Sequence, residues 1–227
     1  MEIKVSKFGG TSMADANAIN QSASIVLSDP ARRFVVVSAP GKRFPGDEKI
    51  TDLLYRCCEE ANATGSCKHS FSKVRDRFEG IIRDLKLNLD LSDCFTQTQA
   101  RIENERNADY AASRGEYFSA MIMAARLNYK FVDSADIIEF TSKGDFDSEH
   151  TNDLASKALK DLDCAVIPGF YGSMPGGEIK TFSRGGSDIT GSIVARAVSA
   201  DLYENWTDVN GFMTADPRIV KDPKVID

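Results

Sequence analysis

Strand-like and helix-like stretches alternate along this chain of 227 residues, and the alternation predicts an α/β domain built on a largely parallel sheet. Three observations carry that prediction. Short apolar runs such as "RFVVVSA" (33–39), "CAVIPGF" (164–170) and "DLYENW" (201–206) are separated by segments whose apolar residues recur at helical spacing. The first strand-like run ends directly on a glycine pair that leads into a helical pattern. The length suits one large domain, which can bury roughly 70% of the surface its unfolded chain exposes.

Taken in order, "EIKVSKF" (2–8) alternates as a strand and stops at Gly9 and Gly10. A helix follows, with Ile19, Ala23 and Val26 on one face, and Ser12 and Asp15 have the S-x-x-D spacing of a capping box. The 33–39 run reads as a buried strand and "PGKRFPGDE" (40–48) as a breaker-rich loop. The middle is helical. Ile50, Leu53, Leu54, Cys57, Cys58 and Ala61 form one amphipathic stripe, Phe71, Val74, Phe78, Ile81, Ile82 and Leu85 a second, and Phe118, Met121, Ile122 and Ala125 a third. Strand candidates then fall at 129–140, 164–170, 177–182 and 201–206, with helices expected at about 152–161 and 188–199. There is no repeat, low-complexity stretch or linker, so one domain is expected over 1–227.

Composition narrows the function. Hydrophobic residues make up 42% and charged residues 27%, as in ordinary soluble proteins. A net charge of −6 argues against nucleic acid or an anionic membrane surface as the main partner, while leaving room for a local cationic pocket. The longest aliphatic run, "FVVV" (34–37), is far short of the ~20 residues of a spanning helix, and no signal-peptide pattern opens the chain. Five cysteines without a C-x-x-C pair, with Cys57 and Cys58 on a helical stripe, read as core thiols and point to a cytoplasmic protein.

In a parallel α/β sheet, ligands bind at the carboxyl ends of the strands. Three polar, glycine-rich stretches fall at such ends: "KFGGTS" (7–12), "SRGGSD" (183–188) and "WTDVNGFMTADPR" (206–218). Helix N-termini approached through glycines suit phosphate and carboxylate ligands. The order is the reverse of a P-loop, because Lys7 precedes Gly9 and Gly10. The only histidines, His69 in a helical segment and His150 in an acidic loop, have neither a nucleophile nor a metal partner nearby, which disfavours a histidine base. Arg184 sits in a glycine loop, where its fork could grip a carboxylate. A carboxylate nucleophile is already ionised and needs only alignment and positive charge on the phosphoryl group, which Lys7, Mg²⁺ and backbone N–H groups could supply. Taken singly, each feature has a plainer reading. The glycines would be scaffolding, Arg184 a surface charge, Glu116 an exposed helix-start carboxylate, Thr51 a cap, Asp208 and Asp216 turn residues, and "GDFDSE" (144–149) a solvated acidic loop.

"KFGGTSM", "VVVSAPGK", "KITDLL", "SRGE", "FSRGGSDITGS" and "WTDVNGFMTADPR" occur in that order, and together they resemble the aspartokinases of the amino acid kinase superfamily over residues 4 to about 223. The resemblance implies a three-layer α/β/α sandwich around an open, mainly parallel sheet. It implies transfer of the ATP γ-phosphoryl group to the side-chain carboxylate of L-aspartate, the entry step to lysine, threonine, methionine and isoleucine synthesis. By that resemblance Lys7 neutralises the transferring phosphoryl group, Gly9 and Gly10 let the backbone approach it, and Asp188 holds Lys7. Arg184 clamps the α-carboxylate of aspartate, with Glu116, Ser187 and Thr51 completing the pocket. Thr207, Asp208 and Arg218 contact ATP, Met213 lies near the base or ribose, and Mg²⁺ is held mainly by the phosphates. Ser183 and Met213 depart from the residues common at those positions. Family members continue past "DPKVID" (222–227) with the rest of the kinase domain and ACT domains, so the resemblance implies a kinase domain truncated at its C-terminal end. Members are commonly dimers or larger, and a homodimer is one expected assembly. Two other readings stay open: a sibling kinase acting on glutamate, N-acetylglutamate, carbamate or a nucleoside monophosphate, and a ligand-binding module without turnover.

Overall fold

The computed structural model describes residues 2–183 and 185–207. Among these residues five parallel strands form the central sheet: β1 (Lys4–Phe8), β2 (Arg32–Val37), β3 (Lys130–Phe131), β4 (Ala165–Pro168) and β7 (Leu202–Trp206), in the order β3-β4-β2-β1-β7. The seven helices are α1 (Ala16–Leu27), α2 (Ile50–Thr64), α3 (Lys68–Asp84), α4 (Ser92–Glu105), α5 (Ala108–Leu127), α6 (Ser148–Leu159) and α7 (Gly186–Ala197) among the described residues. Side chains on a strand alternate between faces. Phe8, Val35, Val37 and Val166 therefore join one core, shared with α1 to α5, while Val5, Phe34, Val36, Ala165 and Ile167 join a second core, shared with α6 and α7. Burial on both faces is what an all-parallel sheet requires, and it gives the expected helix–sheet–helix layering. The chain leaves β1 toward β2 and, among the described strands, reaches β7 on the other side of β1 last, so strand order reverses at the carboxyl ends of β1 and β7, the usual location of a ligand crevice.

Several local expectations need correction. The capping box does not form: Thr11–Met13 is a short 3₁₀ turn, and Asp15 itself caps α1, its side chain accepting from Ala18 N at 2.9 Å. Helix α4 was not anticipated, because it buries only Phe95, Thr98 and Ile102, too few positions for a clear stripe. Helix α5 is 20 residues long and extends well before Phe118. Every residue from Tyr110 to Glu116 is buried, Ser113, Arg114 and Glu116 included, so this part of "ADYAASRGE" has no exposed polar face for periodicity to detect. The 129–140 segment supplies only two strand residues before a 3₁₀ turn at Ser134–Asp136. The 177–182 run forms β6 (Ile179–Thr181), which pairs antiparallel with β5 (Tyr171–Ser173) outside the main sheet. His150 belongs to the first turn of α6, not to a loop, and its Nε2 lies 3.0 Å from Glu139 Oε2.

Candidate active site

Lys7 is two residues beyond Val5, so it projects from the same face of β1, toward α7. There its Nζ lies 2.7 Å from Asp188 Oδ1, in the first turn of α7. The lysine side chain is only 11% exposed while the aspartate is 48% exposed, so the sheet anchors the cation and the carboxylate closes over it from the solvent side. Asn205 of β7 donates to the same Asp188 oxygen at 3.2 Å. The chain then turns at Gly9 and Gly10 against the loop that follows β2. Gly41 N donates to Gly10 O at 2.8 Å, and a Cβ on Gly41 would lie 2.8 Å from Gly10 C, a contact only glycine permits.

That contact is one wall of a cleft of about 410 Å³ lined by Gly10, Thr11, Ser38–Lys42, Lys49, Thr51 and Glu116. Ser38 Oγ donates to Ser187 Oγ at 2.9 Å, which joins this cleft to the N-terminus of α7 beside Asp188. Glu116 is neither exposed nor at a helix start. It sits mid-α5 at 5% exposure, one residue after Gly115, where a Cβ would meet the Ala39 Cβ at 2.7 Å. Glycine there lets α5 press against the loop and thrust Glu116 into the cleft. Burial pushes the Glu116 carboxyl up to about 8, against the opposing pull of backbone N–H groups at Ala39 and Glu116. Its Oε2 is buried without a hydrogen-bond partner. Such an orphaned acceptor costs about 1–3 kcal/mol or more and fits a site that completes itself on a ligand cation. Thr51 is not a cap: Lys49 holds that position, and Thr51 lines the cleft from the first turn of α2.

The structure thus gathers Lys7, Gly9, Gly10, Thr51, Glu116, Ser187 and Asp188 around the carboxyl ends of β1 and β2. Thr207 is exposed at the end of β7, beside a smaller cleft of about 250 Å³ that it shares with Phe8, Thr11, Ser12 and Trp206. Arg184, Asp208, Met213 and Arg218 lie outside the described residues. Sequence reading quoted "VVVSAPGK" and "KITDLL" without assigning Ser38, Lys42 or Lys49, all of which line the cleft. Ser38 directly follows β2, but Lys42 and Lys49 reach the cleft through the fold of the loop and carry no local signal. Among the described residues, no group of three or more His, Cys, Asp or Glu side chains could hold a metal ion, and no helix is long and apolar enough to cross a membrane.

A family model described as the amino acid kinase family matches residues 2–227, and the chain belongs to that family. It is 38% identical over 242 residues to aspartokinase 3 of Bacillus subtilis (strain 168), an alignment spanning 99% of this chain and 52% of that protein. Among solved structures it is similar to the aspartate kinase of Clostridium acetobutylicum, with TM-score 0.92 and 45% identity over 99% of this chain and 52% of that one. It is also similar to E. coli aspartokinase III in complex with aspartate and ADP, with TM-score 0.84 and 31% identity over 100% of this chain and 54% of that one. The chain therefore spans about half the length of these relatives.

Proposed function

We propose that this chain transfers the γ-phosphoryl group of ATP to the side-chain carboxylate of L-aspartate, giving 4-phospho-L-aspartate and ADP. The observation that carries the reading is a line of strand ends, bridged by the Ser38–Ser187 hydrogen bond, with two chemically different ends. At one end Lys7, paired to Asp188 at the start of α7, offers buried positive charge to phosphate. At the other, the Glu116 carboxyl, whose Oε2 has no hydrogen-bond partner, faces a cleft whose lining includes Lys42 and Lys49, a charge pattern that matches an amino acid carrying one ammonium and two carboxylates. The E. coli relative solved with aspartate and ADP supports this pairing of ligands.

In this reading the substrate ammonium pairs with Glu116, Arg184 clamps the α-carboxylate, and Ser187 and Thr51 complete the pocket. Thr207, Asp208, Met213 and Arg218 contact the nucleotide. A side-chain carboxylate oxygen forms the new O–P bond as the bond from the γ-phosphorus to the β–γ bridging oxygen breaks, and ADP leaves with that electron pair. No proton moves, so no general base is needed. Lys7 balances charge spreading over the transferring group, and Asp188 keeps the ammonium aimed. The donor set fits Mg²⁺ held mostly by phosphates, since Asp188, the carboxylate beside Lys7 among the described residues, is already committed to Lys7 and Asn205. When bound, the ion would neutralise phosphate charge.

The test is a hydroxylamine trap. Incubation with ATP, Mg²⁺ and L-aspartate is expected to yield aspartyl hydroxamate dependent on both substrates. Hydroxamate from glutamate or N-acetylglutamate but not aspartate would make the chain a sibling kinase. Calorimetric binding of aspartate with no hydroxamate would make it a ligand-binding module. Sedimentation velocity checks the accompanying expectation of a homodimer.

A further inference from the structure

The two walls of the cleft are loops, residues 9–14 after β1 and 38–49 after β2, and neither carries regular structure beyond the 3₁₀ turn. Their spacing must be set from elsewhere. Arg77, in the middle of α3, lies behind both walls and is 8% exposed. Its guanidinium donates to Ala14 O at 3.4 Å on the first loop, and to Gly41 O at 3.2 Å and Glu48 O at 3.3 Å on the second. It also donates to Asp47 Oδ2 at 2.7 Å. Asp47 in turn accepts from Arg43 N at 3.0 Å and from Arg43 Nε and Nη2 at 2.7 and 2.8 Å. One planar fork thus holds both ends of the second loop and the exit of the first, just where Gly41 meets Gly10.

The cost of burying these charges is visible: burial pulls the Arg77 guanidinium down, while Arg43 and Arg77 hold the Asp47 carboxyl far below the usual carboxylate range. A buried pair of this kind is often no more stabilising than apolar residues of similar volume, so stability alone is a weak reason for it. Geometry supplies a better one, since donor and acceptor in phosphoryl transfer must be aligned, and a displacement of about 1 Å can cost roughly 100-fold in rate.

We propose that Arg77 is a positioning residue that fixes the distance between the phosphate-side loop and the acceptor-side loop, and through it the alignment of the two substrates. The inference rests on the phosphoryl-transfer reading of the cleft, and its test separates the two. Arg77→Lys keeps the charge but cannot fork; Arg77→Met removes the charge, and Asp47→Asn carries the test if Arg77→Met does not fold. In folded variants, amide hydrogen exchange at Met13, Gly41 and Asp47 should quicken together by at least tenfold, with the remainder of α3 unchanged. The kcat for aspartate phosphorylation should fall tenfold or more, while KM for each substrate changes by less than threefold. Unchanged kcat per folded molecule, or faster exchange in one loop without the other, would overturn the proposal. If the unsubstituted chain does not phosphorylate aspartate, the reading of the site fails, and the exchange data alone decide whether Arg77 couples the loops.

Discussion

Lys7 and Glu116 differ in how each meets its charge. Lys7 has a partner in Asp188 at 2.7 Å, whereas Glu116 has burial and an orphaned oxygen. Lys7→Met should lower kcat by orders of magnitude with little change in KM for aspartate, because its charge acts mainly on the transition state. Steady-state kinetics check this, and an unchanged kcat sinks the role. Glu116 makes a prediction about pH. Its carboxyl is raised from 4.5 to about 8, so between those values the ligand-free fold binds a proton that the unfolded chain releases. The resulting contribution to stability is complete below about 4.5 and is lost as pH rises through about 8. An arriving ammonium reverses the preference, so aspartate binding near pH 7 should expel a proton. Calorimetry in buffers of different ionisation heat would detect this as a buffer-dependent enthalpy. That dependence should vanish in Glu116→Gln.

Helix α5 carries Glu116 to the cleft, and the fit depends on Gly115. An alanine there would push against Ala39 Cβ at 2.7 Å, Ile50 Cγ2 at 3.3 Å and Leu54 Cδ1 at 3.4 Å. Gly115→Ala should therefore cost about 1–3 kcal/mol by thermal unfolding and raise KM for aspartate, because the loop carrying Ala39 must retreat. An unaltered melting temperature would mean that the loop yields freely. The same helix marks how far sequence could be read. Strands β1, β2, β4 and β7 were legible because alternating or continuous apolar runs met obvious breakers, and α2 and α3 because one face is wet. Neither signal exists for the first half of α5, where Ser113, Arg114 and Glu116 are buried along with the apolar residues, so polarity does not mark a wet face. Lys7 and Glu116 were found through quoted motifs, but Ser38, Lys42 and Lys49 were not. Their role arises from a loop folding back on α5, which no local pattern encodes. Arg77 was invisible for the same reason: it serves residues 29 to 63 positions away.

At the scale of the molecule, one sheet separates two cores. Val35 and Val37 face one, Phe34 and Val36 the other, so a single strand ties both together. We expect one cooperative unit. Ile122→Ala on the α5 side and Ile167→Ala on the α6–α7 side should each destabilise by about 2–5 kcal/mol and shift the same single denaturation transition. Two separable transitions would divide the chain into two domains. The pairing of β1 with β7 also has a consequence for how the protein is made. Ser6 and Glu204 are hydrogen-bonded neighbours separated by 198 positions. At about 5–20 residues per second, a ribosome needs roughly 10–40 s to span that gap. Throughout that interval the strand bearing Lys7 waits with one edge bare, and for most of it the ammonium has no Asp188 to meet. A nascent chain thus lacks the Lys7–Asp188 pair until synthesis has passed the start of α7, and β1 lacks its second neighbour until β7 follows.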